Sequence, residues 1–147
     1  MSLNGGALGV FAIAGSLILG ACATTPTPLG EATVTPAERV FHRPPVGKPT
    51  GTAVFIRDRG MAGSAVYQNL SIDGERAAAI DVGEKATIQV TAGEHVFSII
   101  PTDPFGTHAE FSIDQNIEAG RTYYYRVLTD GNTLSTRIQR IVGRSLE

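Results

Sequence analysis

The chain has 147 residues, 12 Lys and Arg against 14 Asp and Glu, and a formal net charge of −2. A length of this order suits one domain with an appended segment. The missing basic surplus argues against nucleic acid as a partner and against polybasic docking to a membrane. A single cysteine excludes an intrachain disulfide, so the fold must hold by its core alone.

Residues 7–21 read ALGVFAIAGSLILGA. This apolar run is shorter than the roughly 20 residues a transmembrane helix needs. It matches the apolar region of a secretory signal, which ends in small residues at the cleavage site. The run closes on Leu19-Gly20-Ala21-Cys22, which resembles the bacterial lipobox. In that family the cysteine thiol takes diacylglycerol, the bond before it is cut, and the new amino terminus is acylated with a fatty acid such as palmitate. The resemblance implies cleavage between Ala21 and Cys22, lipidation of Cys22, and the lipid bilayer as a partner. A thiol suits the acceptor role because its anion is the effective nucleophile near neutral pH. Met1 to Gly6 carries no Lys or Arg, a departure from such signals. Ala23 stands where Asp would retain a lipoprotein in the inner membrane. The resemblance therefore implies an outer-membrane lipoprotein facing the periplasm.

Residues 22–50 read as a lipidated end followed by a tether. Six of the eight prolines fall here, at Pro26, Pro28, Pro36, Pro44, Pro45 and Pro49, with Thr and Ala filling much of the rest. Proline fixes φ and restrains the residue before it, so the segment is expected to be extended. At about 3.1 Å per residue it would reach on the order of 80 Å. Arg39-Val40-Phe41-His42-Arg43 is the exception, basic and partly apolar. It reads either as a segment packed on the domain surface or as a docking peptide.

From residue 51 to 147 the pattern changes to short strands separated by turn signals, as in an all-β sandwich. TAVFIR from Thr52 is apolar on both faces and is expected at the centre of a sheet. A strand over 65–72 follows, with Val66, Leu70 and Ile72 on one face, then an Asp73-Gly74 hairpin turn and a return over 76–81. Lys85 to Thr91 alternates cleanly, Ala86, Ile88 and Val90 facing in. His95 to Ile100 is apolar on both faces and is expected to be buried. Phe111, Ile113 and Ile117 point inward from the strand over 110–117. Arg121 to Thr129 sets Tyr124 opposite Tyr123 and Tyr125. Thr133 to Val142 closes the sheet, with Leu134, Ile138 and Val142 on one face. The expectation is a mostly antiparallel β-sandwich of about eight strands.

Several of these stretches together resemble a known group. Val66 to Ile72, Asp73-Gly74-Glu75-Arg76, Ala92-Gly93-Glu94-His95 and Gly120-Arg121-Thr122-Tyr123-Tyr124 are similar to small bacterial lipoproteins with a domain of unknown function, and to PEGA-type surface modules. Ala92 replaces the proline usual before the glycine of that pattern. The resemblance implies a β-sandwich on an envelope lipoprotein and carries over no catalytic residue.

Chemistry-bearing residues are sparse. His42, His95 and His108 are the only histidines, and no two lie at metal-ligand spacing. A site assembled from His95, His108 and Asp103 competes with the plainer reading of a turn histidine and a loop histidine. Ser64, Ser71, Ser98 and Ser112 lie in no nucleophile elbow. The glycines make no phosphate-binding loop, so no cofactor is expected. The residues therefore point to a structural or protein-interaction module rather than an enzyme. Phe105, between Pro104 and Gly106, is the candidate partner contact on the 102–108 loop, the partner being an envelope protein. The alternative is a ligand module for a glycan, lipid or peptide, using the Tyr124 face.

Overall fold

Alternation decides the architecture. In a computed structural model of the chain, which describes residues 24–101, 110–133 and 135–142, nine strands form two sheets. They are β1 (Thr33–Val34), β2 (Thr50–Arg57), β3 (Gln68–Ile72), β4 (Glu75–Ile80), β5 (Glu84–Thr91), β6 (Gly93–Pro101), β7 (Phe111–Ile117), β8 (Thr122–Thr129) and β9 (Thr136–Ile141). One sheet runs β1-β5-β2-β8-β9 and the other β4-β3-β6-β7. The protein is an all-β sandwich. Among the described residues no helix is long and apolar enough to cross a membrane.

The two sheets face each other over one core. Its centre is aromatic: Phe55 and Tyr125 stack with centroids 4.9 Å apart, and Phe97 meets both edge-on at 5.3 Å. Ala53, Leu70, Ile72, Ile88, Val90, Ile99 and Val127 surround them, all buried. The T-shaped contacts set the positive edge of one ring against the negative face of another, which adds to the burial of apolar area. The expected central strand, β2, does sit in mid-sheet, between β5 and β8. Five of the seven strand pairings are antiparallel. The parallel exceptions are β1 with β5 and β2 with β8. β8 lies parallel to β2 because it enters from β7, which belongs to the other sheet.

The structure corrects several local expectations. The strand expected from Ala65 begins at Gln68, because the buried Arg57 guanidinium takes the carbonyls of Gly63 and Val66, both at 2.7 Å. Those groups are then lost to a ladder. β6 is not buried on both faces: Val96 and Ile100 are 39% and 38% exposed, since its sheet is covered on one side only. Val142 lies beyond β9 and is exposed, and Leu134 lies outside the described residues.

The largest correction concerns the tether expected over 22–50. From Thr24 to His42 the chain is a strap bound to the sandwich. Thr25 and Arg59 exchange backbone hydrogen bonds of 2.7 and 3.0 Å. Thr33–Val34 adds a parallel strand to β5, Ala37–Arg39 makes one 3-10 turn, and Val40 bridges to Ala78 on β4. The prolines do keep the backbone extended, but an extended chain with no internal hydrogen bonds has groups free to cap a sheet edge. The strap uses them so, closing the β5 and β4 edges. Of the two readings of residues 39–43, the packed segment is the one found.

Candidate functional site

The sandwich has two ends of different chemistry. At one end lie the termini of β2 and β8, and the starts of β3, β5 and β9. Arg57, Gln68, Thr129 and Thr136 fill the core there, all buried. Arg57 donates to three carbonyls, Gly63, Val66 and Ile80, at 2.7 to 2.8 Å. Burial pushes its pKa down to about 10, against the more distant pull of Asp81 and Glu84. Gln68 Nε2 donates to the hydroxyls of Thr129 and Thr136.

The strap is locked at this same end. Arg126 and Asp58 form a buried ion pair, Asp58 Oδ1 accepts the Thr27 N–H at 2.9 Å, and Arg126 donates to the Thr27 carbonyl at 3.2 Å. One strap residue thus closes both halves of a buried pair. Asp58 Oδ2 has no hydrogen-bond partner among the described residues. An open cleft of about 470 Å3 lies beside the pair, lined also by Pro26, Leu128, Gln139 and Ile141. Further along, Arg39 of the strap chelates Glu84 with both terminal nitrogens and donates to the Ala79 carbonyl. The bond to Glu84 raises the Arg39 pKa despite some desolvation.

At the other end the polar groups stand at the rim. Asp73 and Gly74 both take positive φ, 52° and 80°, as a two-residue hairpin turn requires. The turn aims Asp73 at β6: its Oδ1 accepts the Val96 N–H at 2.9 Å and its Oδ2 meets His95 Nδ1 at 2.7 Å. Burial works against the Asp73 carboxylate, yet the Val96 and His95 hydrogen bonds hold its pKa below the usual value. His95 Nε2 lies 2.8 Å from the Thr91 carbonyl. Carboxylate and carbonyl both only accept, so a neutral ring serves one of them and an imidazolium serves both. With Glu94, Val96, Asp114, Gln115 and Asn116, this pair lines an open cleft of about 400 Å3. His42, at the end of the strap, is near enough for Asp73, Glu75 and His95 to act on it electrostatically.

The chain matches no protein-family model and no curated protein. Among solved structures it is similar to the NMR structure of a protein from Eubacterium rectale, with 16% identity and a TM-score of 0.44 over 68% of this chain and 96% of that one.

The residues singled out in the sequence fall in different places. Cys22 and Ala21, and likewise Asp103, Phe105 and His108, lie outside the described residues. Tyr124 is half-buried on the outer face of the five-stranded sheet, packed with Leu29 and Ala32 of the strap, Val54, Ile56 and Ile141. The strap thus contributes to the apolar cluster on the Tyr124 face. His95 is a turn-proximal histidine with two partners. Among the described residues no group of three or more His, Cys, Asp or Glu is placed to hold a metal ion. The Asp58–Arg126–Thr27 lock was not legible in the sequence. Its only signals are Asp58 just past an apolar strand run and Arg126 interrupting another, which equally suit solvated charges.

Proposed function

We propose that this protein is a bacterial envelope lipoprotein of the outer membrane, held by lipidated Cys22, whose folded part is a non-enzymatic structural or interaction module. The observation that carries the reading is Leu19-Gly20-Ala21-Cys22 closing an apolar run, with Cys22 the sole cysteine of the chain. The fold supports it in two ways. Thr24, two positions after Cys22, is already tied to the sandwich through its hydrogen bond to the Thr129 carbonyl, which suits an anchor held close to the domain. The buried charges Arg57, Asp58 and Arg126 are engaged by the chain's own carbonyls, amides and each other, which is the use of charge in a scaffold. The likeness to small lipoproteins and PEGA-type modules fits the same reading.

The test is a mild-detergent pull-down from the native envelope, with Cys22→Ala as control. The reading predicts acyl mass on Cys22 and a stoichiometric envelope partner lost in the Cys22→Ala form. Both forms behaving as soluble monomers without acyl mass would refute it. A second reading, a ligand module, draws on the 400 Å3 cleft at Asp73 and His95 rather than on Tyr124. Saturable binding of an envelope glycan or peptide, abolished by Asp73→Asn, would favour it.

A further inference from the structure

The strap changes what lipidation would do. A free tether would carry the domain well away from the bilayer. Here Thr24 Oγ1 donates to the Thr129 carbonyl, and Thr25 is paired with Arg59. Three peptide steps separate Cys22 from Thr25, a span of at most about 10 Å. An acyl chain on Cys22 must lie in the hydrocarbon, so the end of the sandwich that holds Thr24, Arg59 and Thr129 is drawn to the headgroups.

We infer that the domain lies directly on the lipid surface, with the 60–66 loop against the headgroup region and the Asp73–His95 end turned away from it. The inference rests on the lipoprotein reading of Cys22. The loop, Gly60 to Val66, contains no charged residue. Its Met61 side chain is 83% exposed and Tyr67 beside it 43%. Thr24 lies against Gly60 of this loop, two positions from Cys22, so the anchor's reach starts beside the loop. An uncharged loop with an exposed thioether, next to a tyrosine, suits the interface, where amphipathic rings and apolar side chains are favoured. The acids at this end are each engaged: Glu31 pairs with Arg59, Asp58 with Arg126 and Glu84 with Arg39, Asp130 accepts the amides of Asn132 and Thr133, and Asp81 accepts its neighbour's amide. The opposite end carries Asp73, Glu94, Asp114, Glu118 and Arg121 at its rim, charges that favour water. β2 is eight residues long, so that end stands roughly 25 Å further from the bilayer.

The test uses the full-length lipidated protein in phosphatidylethanolamine–phosphatidylglycerol vesicles. Because acylation blocks Cys22, an introduced cysteine takes an environment-sensitive fluorophore alone, at Met61→Cys or Asn116→Cys. Lipids carrying a nitroxide on the headgroup should quench the probe at position 61 several-fold more than the probe at 116. A flexible Gly-Ser insertion of about 20 residues between Ala23 and Thr24 should abolish most of that difference. Equal quenching at the two positions, or an unchanged difference after the insertion, would overturn the inference. Intact mass and vesicle flotation read the anchor separately. Acyl mass with equal quenching refutes the orientation alone, whereas a protein without acyl mass refutes the lipoprotein reading and the orientation with it.

Discussion

The two ends of the sandwich solve the same problem with opposite materials. Where a β-sandwich opens at its end, water reaches the core unless something fills the gap. At the strap-locked end the filling is polar: Arg57, Gln68, Thr129 and Thr136, with the Asp58–Arg126 pair behind them. At the other end it is aromatic. Tyr125 donates to Gln115 Oε1 at 3.1 Å, and Tyr123 accepts the Glu118 amide at 3.0 Å. Each ring keeps its body in the core and its hydroxyl at the rim, and burial pushes the Tyr125 pKa up to about 12. Polar filling demands partners, and the strap supplies them; aromatic filling needs a single hydrogen bond per ring. The polar end should therefore fail in larger steps when one partner is removed.

The largest loss is expected from Arg126→Ala. It strips a buried carboxylate of its cation and frees the Thr27 carbonyl, and removal of one partner of a buried pair costs about 3–5 kcal/mol. Urea unfolding should show it, together with faster amide exchange at Thr25 and Thr27. At the aromatic end the most sensitive backbone position is Gly51. A Cβ there would lie 2.6 Å from the Glu118 carbonyl oxygen and 2.7 Å from Ile117, because β2 passes directly beneath the 118–121 turn. Gly51→Ala should cost about 1–3 kcal/mol as an overpacking substitution, read from the same unfolding curves. Tyr125→Phe removes one hydrogen bond and keeps the stack on Phe55, so a loss of about 1 kcal/mol is expected. A loss as large as that of Arg126→Ala would erase the contrast between the ends.

The smallest effect is a pH dependence where the strap reaches the aromatic end. Burial lowers the His42 pKa from its ordinary 6.5; Glu75 and Asp73 oppose this, and His95 and Arg43 reinforce it. The unfolded chain then binds this proton more readily than the folded one, so its contribution is present above the unfolded pKa and is lost as pH falls through the lowered one. Unfolding midpoints between about pH 7 and about pH 5 should fall in the wild type. The fall should be shallower in His42→Gln, and equal slopes would show that His42 takes its proton alike in the folded and the unfolded chain.

Much of the fold was readable because alternation has a physical cause. Ala86, Ile88 and Val90 face the core since side chains in a strand point alternately to its two faces, and Asp73-Gly74 turns because both residues accept positive φ. Where only one sheet face is covered, the same logic failed. Val96 and Ile100 look as buried as Phe97 and Ile99, and nothing local says that no layer lies over them. The strap was misjudged for a related reason. Its prolines dictate an extended backbone, and an extended backbone is equally fit to hang free or to bind an edge. Thr27 decides between these by meeting Asp58 and Arg126, residues 31 and 99 positions away.

The sequence by itself determined the local states of this chain: an apolar leader ending at a lone cysteine, an extended proline-rich segment, short alternating strands and the turns between them. Those follow from the conformational limits and solubility of each residue with its near neighbours. Tertiary structure decided everything that depends on which edges and ends meet: the parallel placement of β8 beside β2, the gathering of Tyr124, Leu29 and Ala32 into one outer cluster, the polar filling of one end, and the docking of the strap. Those depend on pairing across tens of residues, where the same short segment has several partners it satisfies equally well, and only the closed core selects among them.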